Sequence, residues 1–156
     1  MPRAPFNVVV YPFRVGEDGA YQYALLRRAD EGWWQGVSGG GEEGESPLEA
    51  AVRETAEETR ISVAADAFIA PDAIEPVPAP IYRDSPAWGE AVYVVPQYGF
   101  GCPVESPEIA LSREHAEFRW ASSEQASSLL RYNRIPLWEL NARLLGGGPR
   151  SGPKPP

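Results

Sequence analysis

The order of elements in this chain predicts an α/β fold, a mixed β-sheet with helices on both sides. Three observations carry that prediction. Two β-rich segments, Asn7 to Val15 and Tyr21 to Arg27, are joined by Gly16-Glu17-Asp18-Gly19, which is hairpin turn chemistry. A helix with a plainly written start opens at Ser46. Two more helical stretches, Glu124 to Leu130 and Leu137 to Leu145, close the chain after a second set of strand-like runs.

Composition sets outer limits. At 156 residues, 43% hydrophobic and 11% aromatic, the chain is long enough to bury a real core and is expected to form one domain over residues 1–145. Residues 146–156, rich in Gly and Pro, are expected to be a disordered tail. A formal charge of −8 and a pI near 4.7 argue against a nucleic acid polymer as partner, because binding one needs clustered Lys and Arg. The apolar run in MPRAPFNVVVYPF is too short to span a membrane and lacks signal-peptide architecture, so neither a membrane partner nor export is expected. The single cysteine, Cys102, rules out an internal disulfide and a cysteine-based zinc cluster, which suits a reducing cytoplasm.

Taken in order, the first strand and hairpin lead to Arg27 and Arg28, a basic pair in an acidic chain. They serve either to solvate the surface or, for Arg28, to hold the anionic end of a substrate. Asp30 to Gly32 then turn the chain into Trp33 to Ser38, a short strand that delivers a glycine-rich acidic loop, Gly39 to Glu45. Trp33 and Trp34 are candidates either for core packing or, Trp34 above all, for stacking on a flat substrate ring. Ser46 caps the next helix, Pro47 suits its first position, and Glu49 closes a capping box. Leu48, Val52, Thr55 and Thr59 recur at helical spacing and are expected to face a core, with Ala51 beside them. Ile61 to Ala70 reads as a strand, after which Pro71, Pro76, Pro78 and Pro80 stiffen a long connection. Glu90 to Tyr98 alternates as a strand, and Gly99 to Pro107 is turn-rich.

The chemistry concentrates on the Ser46 helix. Glu54, Glu57 and Glu58, at i, i+3 and i+4, share a face where each like-charge pair costs roughly 0.2–0.5 kcal/mol. A solvated acidic face would account for three glutamates taken alone. A hard divalent cation would turn the repulsion into attraction, since magnesium takes carboxylate oxygens, keeps waters and is shared with substrate phosphates.

The loop before the helix decides between these. Gly39-x5-Glu45 followed by x7 and Arg53-Glu54-x-x-Glu57-Glu58 resembles the Nudix box residue by residue through Glu58. Two positions depart: Thr55 stands where an aliphatic residue is usual, and Arg60 where the box has its second glycine, before the expected aliphatic Ile61. The resemblance covers most of residues 6–145 and implies the Nudix α/β/α sandwich and a pyrophosphohydrolase using Mg²⁺ or Mn²⁺. It implies metal ligation by the Gly39 carbonyl, Glu54, Glu57 and Glu58, with Arg53 as the orienter paired to a glutamate such as Glu45. Catalytic roles fall to Arg53, Glu57 and Glu114; Glu114, in SREHAEFRW, occupies the place of a further metal ligand or base. His115 beside it is either a proton carrier or a packed strand histidine. Arg83 lies where the family's substrate-facing loops fall and is a candidate phosphate or base contact.

WWQGVSGGGEEGE, preceded by LLRRADEG, is similar to the branch of bacterial dihydroneopterin triphosphate pyrophosphohydrolases, long described as dATP pyrophosphohydrolases. That branch also tends to lack the second box glycine. It implies a small-molecule partner, a pterin or nucleoside triphosphate, cut to monophosphate and pyrophosphate by a monomer or homodimer. Pro76 is instead a mark of the ADP-ribose branch, so a nucleoside diphosphate derivative stays open as substrate. A sensing module that binds without cleaving stays open too, although such modules usually lose box glutamates and this chain keeps all of them.

Overall fold

The computed structural model describes residues 2–146. Seven strands form one mixed sheet: β1 (Arg3–Val15), β2 (Tyr21–Arg28), β3 (Trp34–Gln35), β4 (Val37–Glu42), β5 (Ile74–Pro78), β6 (Val94–Pro103) and β7 (His115–Ala121). Three helices flank it: α1 (Pro47–Thr59), α2 (Ser123–Leu129) and α3 (Arg134–Leu145). This is the α/β/α sandwich that the sequence predicts.

β1 is the spine of the sheet. Along one edge it runs parallel to β6, from Asn7 opposite Gln97 to Phe13 opposite Pro103. Its other edge is shared, first by β4 (Arg3 to Val10) and then by β2 (Phe13 to Val15), both antiparallel. Because helices cover both faces, the strand is apolar without alternation, and Val8, Val9, Val10 and Tyr11 are all fully buried. Strand geometry then deals its side chains to two cores. Val9, Tyr11 and Phe13 pack with Ala126, Leu130, Leu137 and Leu140 on the α2–α3 side. Val8 and Val10 pack with Ala50 and Ala51 of α1 and with Phe100 and Cys102 of β6.

Four stretches depart from the sequence reading. Gly39 to Glu42 is strand rather than loop, and Gly40 and Gly41 are small because the Arg3 and Phe6 side chains of β1 lie where their Cβ atoms would be. Ile61 to Ala70 is not a strand; it contains a short 3₁₀ turn, Ala65–Ala67, and one bridge, Ile69 to Gly101, while Ile61 and Val63 pack into the α1-side core. The proline-rich connection contains strand β5, with Pro76 opposite Pro96, and the chain tolerates proline there because β5 is an edge strand. β6 runs on through Gly99 and Gly101, which the sequence presents as turn residues. A Cβ at Gly99 would stand 2.7 Å from Pro136, and one at Gly101 2.5 Å from Leu140, so these glycines let α3 approach the sheet.

Among the described residues no helix is long and apolar enough to cross a membrane. Of the expected tail, residues 147–156 lie outside the described residues.

Candidate active site

α1 begins as its sequence dictates. Ser46 Oγ accepts the Glu49 N–H at 3.1 Å and Glu49 Oε1 accepts the Ser46 N–H at 3.0 Å, so two otherwise orphaned donors are satisfied. Ala51, Thr55 and Thr59 are buried as expected, while Leu48 and Val52 are only half-buried. Thr55 fits its apolar position because its hydroxyl donates to the Ala51 carbonyl at 2.7 Å. The helix ends at Arg60, which is left-handed with φ 62°.

Arg53 is the hub of the charged face. Its Nε and Nη2 form a two-pronged bond to Glu45 at 2.8 and 3.0 Å, Nη2 also reaches the Gly40 carbonyl at 3.0 Å, and Nη1 holds Glu54 at 2.9 Å. Arg53 thereby joins the acidic turn, strand β4 and its own helix. Glu57 is mostly exposed and meets Arg53 at 3.4 Å. Glu54 packs on Gly39 so closely that any Cβ there would overlap its carboxylate. Glu58 is 3% exposed and accepts one backbone N–H, from Ser38, at 3.3 Å.

Crowding shows in the electrostatics. Burial first, then the charges of Glu54 and Glu114, push the Glu58 carboxyl up to about 9. Burial likewise raises Glu54 to about 7, with Arg53 opposing and Glu57 and Glu114 adding to the rise. Glu114 thus comes from the turn just before β7, more than fifty residues away in sequence, to face the carboxylates of α1.

Glu114 and Gly39 line one cleft of about 460 Å³. Arg3, Arg28 and Arg113 supply its cations, and Asn7, Gln35, Ser38 and His115 its neutral polar groups. Arg28 is braced by Asp30 through bonds of 2.8 and 2.6 Å. Gln35 Nε2 lies 3.1 Å from His115 Nε2, and burial lowers the proton affinity of this 5%-exposed imidazole.

The donors gathered here are the carboxylate oxygens of Glu54, Glu58 and Glu114, with Gly39 packed against Glu54, and oxygen donors suit a hard divalent cation. Among the described residues no three His, Cys, Asp or Glu side chains already stand as a ready-made cage. The fit rests instead on crowding, since two carboxyls driven up to about 7 and 9 are groups that a cation would relieve.

The family profile of the NUDIX domain matches residues 4–144. The chain belongs to the Nudix family. Members of that family act on phosphoanhydride bonds. Over 105 residues, 65% of this chain, it is 30% identical to the dihydroneopterin triphosphate diphosphatase of Haemophilus influenzae, and the match spans 65% of that protein's length. A structure assigned to the Nudix hydrolases from Listeria monocytogenes superposes with a TM-score of 0.79, at 37% identity over 92% of this chain and 97% of that one. The E. coli dihydroneopterin triphosphate pyrophosphohydrolase superposes with a TM-score of 0.70 over 89% of this chain and 97% of that one; at 24% identity this is a likeness of fold.

Against this Nudix frame, the residues singled out in the sequence divide. Arg53 holds Glu54 and Glu57 on α1, and Glu58 feels the charges of Glu54 and Glu114. Of the predicted residues Arg28, Gly39 and Glu114 line the cleft, while Arg53, Glu54, Glu57 and Glu58 stand outside its lining. Trp34 does not line the cleft; it packs into the α2–α3 core under Arg119, whose guanidinium lies 4.9 Å from its ring. Trp33 meets Tyr132 edge to face. Strand parity explains this, for when Trp34 faces the core its neighbour Gln35 faces the cleft. Arg83 is exposed and outside the cleft lining, where its neighbour Tyr82 stands instead. Sequence reasoning missed Arg3, Asn7, Gln35, Tyr82 and Arg113. Asn7, a polar residue opening an apolar strand, was the one local signal.

Proposed function

We propose that this Nudix protein is a divalent-cation-dependent pyrophosphohydrolase that cuts a dihydroneopterin or nucleoside triphosphate between its α and β phosphates. The observation that carries it is the meeting of Glu54, Glu58 and Glu114 beside a cleft that also presents Arg28 and Arg113. The Haemophilus relative supports the substrate class.

Glu54, Glu57, Glu58, Glu114 and the Gly39 carbonyl would hold Mg²⁺ or Mn²⁺, which supplies neutralisation of the diphosphate charge when bound. Arg53 orients Glu54 and ties it to the acidic turn through Glu45. Arg28, kept in place by Asp30, and Arg113 attract the anionic end of the substrate. A Glu114 carboxylate oxygen takes the proton of the attacking water; the new P–O bond forms as the α–β bridge breaks, and its electron pair leaves with pyrophosphate. No covalent enzyme intermediate is needed. The unit is residues 1–145, acting on a small molecule as monomer or homodimer in the cytoplasm.

The test is a panel of dihydroneopterin triphosphate, NTPs, dNTPs, dinucleoside polyphosphate and ADP-ribose with Mg²⁺ or Mn²⁺, scoring pyrophosphate and monophosphate. Pyrophosphate release from a triphosphate, abolished by chelator, is the expected result. Full activity in chelator would remove the cation from the reading. Faster turnover of ADP-ribose than of every triphosphate would replace the substrate, and Pro76 would then have been the better guide.

A further inference from the structure

The connection from β5 to β6, residues 79–93, brings Tyr82 to the cleft. Its two 3₁₀ turns, Ala79–Ile81 and Ser85–Trp88, close their hydrogen bonds within the connection, as when the Tyr82 N–H donates to the Ala79 carbonyl and the Ser85 N–H to the Tyr82 carbonyl. Among the described residues, every polar, charged or ring contact between residues 80–92 and the chain outside this connection ends on one residue, Arg3.

Arg3 makes four such contacts. Its guanidinium lies over the Tyr82 ring at 4.6 Å and the Trp88 ring at 5.5 Å, its Nη1 stands 3.6 Å from Asp84, and its carbonyl accepts the Trp88 indole N–H at 2.8 Å. The side chain is itself seated firmly. Nη2 donates to the buried Asn7 side chain at 3.0 Å, and Gly40 leaves the room that the guanidinium fills, since any Cβ there would overlap Arg3. The exposed, long ion pair to Asp84 adds little; the ring and indole contacts carry the attachment.

We propose that Arg3 is a latch that holds residues 81–88 as one wall of the substrate cleft, and that this wall meets the planar heteroaromatic ring of the substrate through Tyr82. The identity of the ligand rests on the function proposed above; the latch does not. Tyr82 offers a flat apolar face for offset stacking. The same wall carries Asp84, which repels phosphate, and its own cation, Arg83, is outside the cleft lining. Arg3 is thus a positioning residue for ring recognition.

Trypsin reads the latch directly, because Arg83 is exposed within the wall. Arg3→Ala should be cut after Arg83 about tenfold faster than wild type, followed by mass spectrometry, since cleavage tracks the population of the released wall. Trp88→Phe, which loses the indole hydrogen bond and keeps a smaller aromatic ring beneath Arg3, should shift the rate in the same direction by less and covers the case in which Arg3→Ala does not fold. Kinetically, Arg3→Ala should raise KM for a ring-bearing triphosphate by about tenfold with kcat little changed. The inhibition constant of inorganic tripolyphosphate, which has no ring, should stay at its wild-type value. Equal trypsin rates in wild type and both variants would overturn the latch. Faster cleavage with unchanged KM would overturn the ring contact, and an equal loss of tripolyphosphate binding would make Arg3 a phosphate ligand instead. If wild type turns over no triphosphate, the functional reading has failed, and the trypsin comparison alone still decides the latch.

Discussion

A carboxylate in water is ionised at neutral pH; Glu58 is not left that choice by its surroundings. It is buried beside Glu54 and Glu114 and receives a single backbone N–H, too few donors to stabilise a full negative charge. Arg53 does not neutralise it, being committed to Glu45, Glu54 and the Gly40 carbonyl. Glu114 differs in being exposed and in standing on β7's side of the cleft. That position suits a group on the water's side of phosphorus, whereas α1 offers carboxylates from one direction only. Glu114→Gln should therefore lower kcat by roughly 10²-fold or more with KM little changed. Wild-type kcat in that variant between about pH 6 and pH 9 would move the proton acceptor to the α1 carboxylates, Glu57 first.

At the scale of elements, α1 is held by contrasts between its two ends. The start is fully capped by local chemistry, with Ser46, Pro47 and Glu49 acting within one turn. The end is strained, because Arg60 adopts the left-handed conformation that glycine takes freely. That strain costs about 1 kcal/mol for a residue with a Cβ. Arg60→Gly should accordingly stabilise the protein by about 1 kcal/mol, raising Tm by roughly 2–4 °C in a thermal melt. A Tm equal to or below wild type would show that the arginine side chain compensates for its backbone. β4 is the matching partner element: Gly39 removes a side chain where Glu54 must pass, so strand and helix approach each other, and Gly40 and Gly41 make room for Arg3 and Phe6 of β1, at the cost of strand propensity.

For the whole molecule, the crowded carboxylates link stability to pH. In the unfolded chain Glu54 and Glu58 lose their protons near the ordinary value of 4.5; folded, they keep them up to about 7 and about 9. The native state therefore binds more protons across that window, and stability falls as pH rises through it. Glu45, held below its ordinary value chiefly by Arg53, works in the opposite sense, and only on the acid side of the window. In chelator, Tm should drop between about pH 6 and pH 9, and added Mg²⁺ should restore most at the alkaline end, where cation binding no longer competes with protons. A flat Tm across that range in chelator would mean that the two carboxyls do not hold those protons.

The α/β class, the capped box helix and the identity of Arg53, Glu54, Glu57 and Glu58 as its charged face were determined by the sequence alone, because each depends on residues within a few turns of one another. Glycine and proline misled at longer range. Locally they signal turns, and at Gly39 to Gly41, Gly99 and Gly101 their use is to admit side chains from elsewhere, while Pro76 sits on a strand edge that asks for no donor. Tertiary structure alone decided which distant residues meet. The register of β3 on β2 sends Trp34 into the core and Gln35 toward His115. The pairing of β7 with β2 brings Glu114 beside Arg28, and β1 beside β4 seats Arg3 over Gly40. Local propensity carries no information about such pairings, since strand partners and the parity of each side chain are set only when the whole sheet closes around two cores.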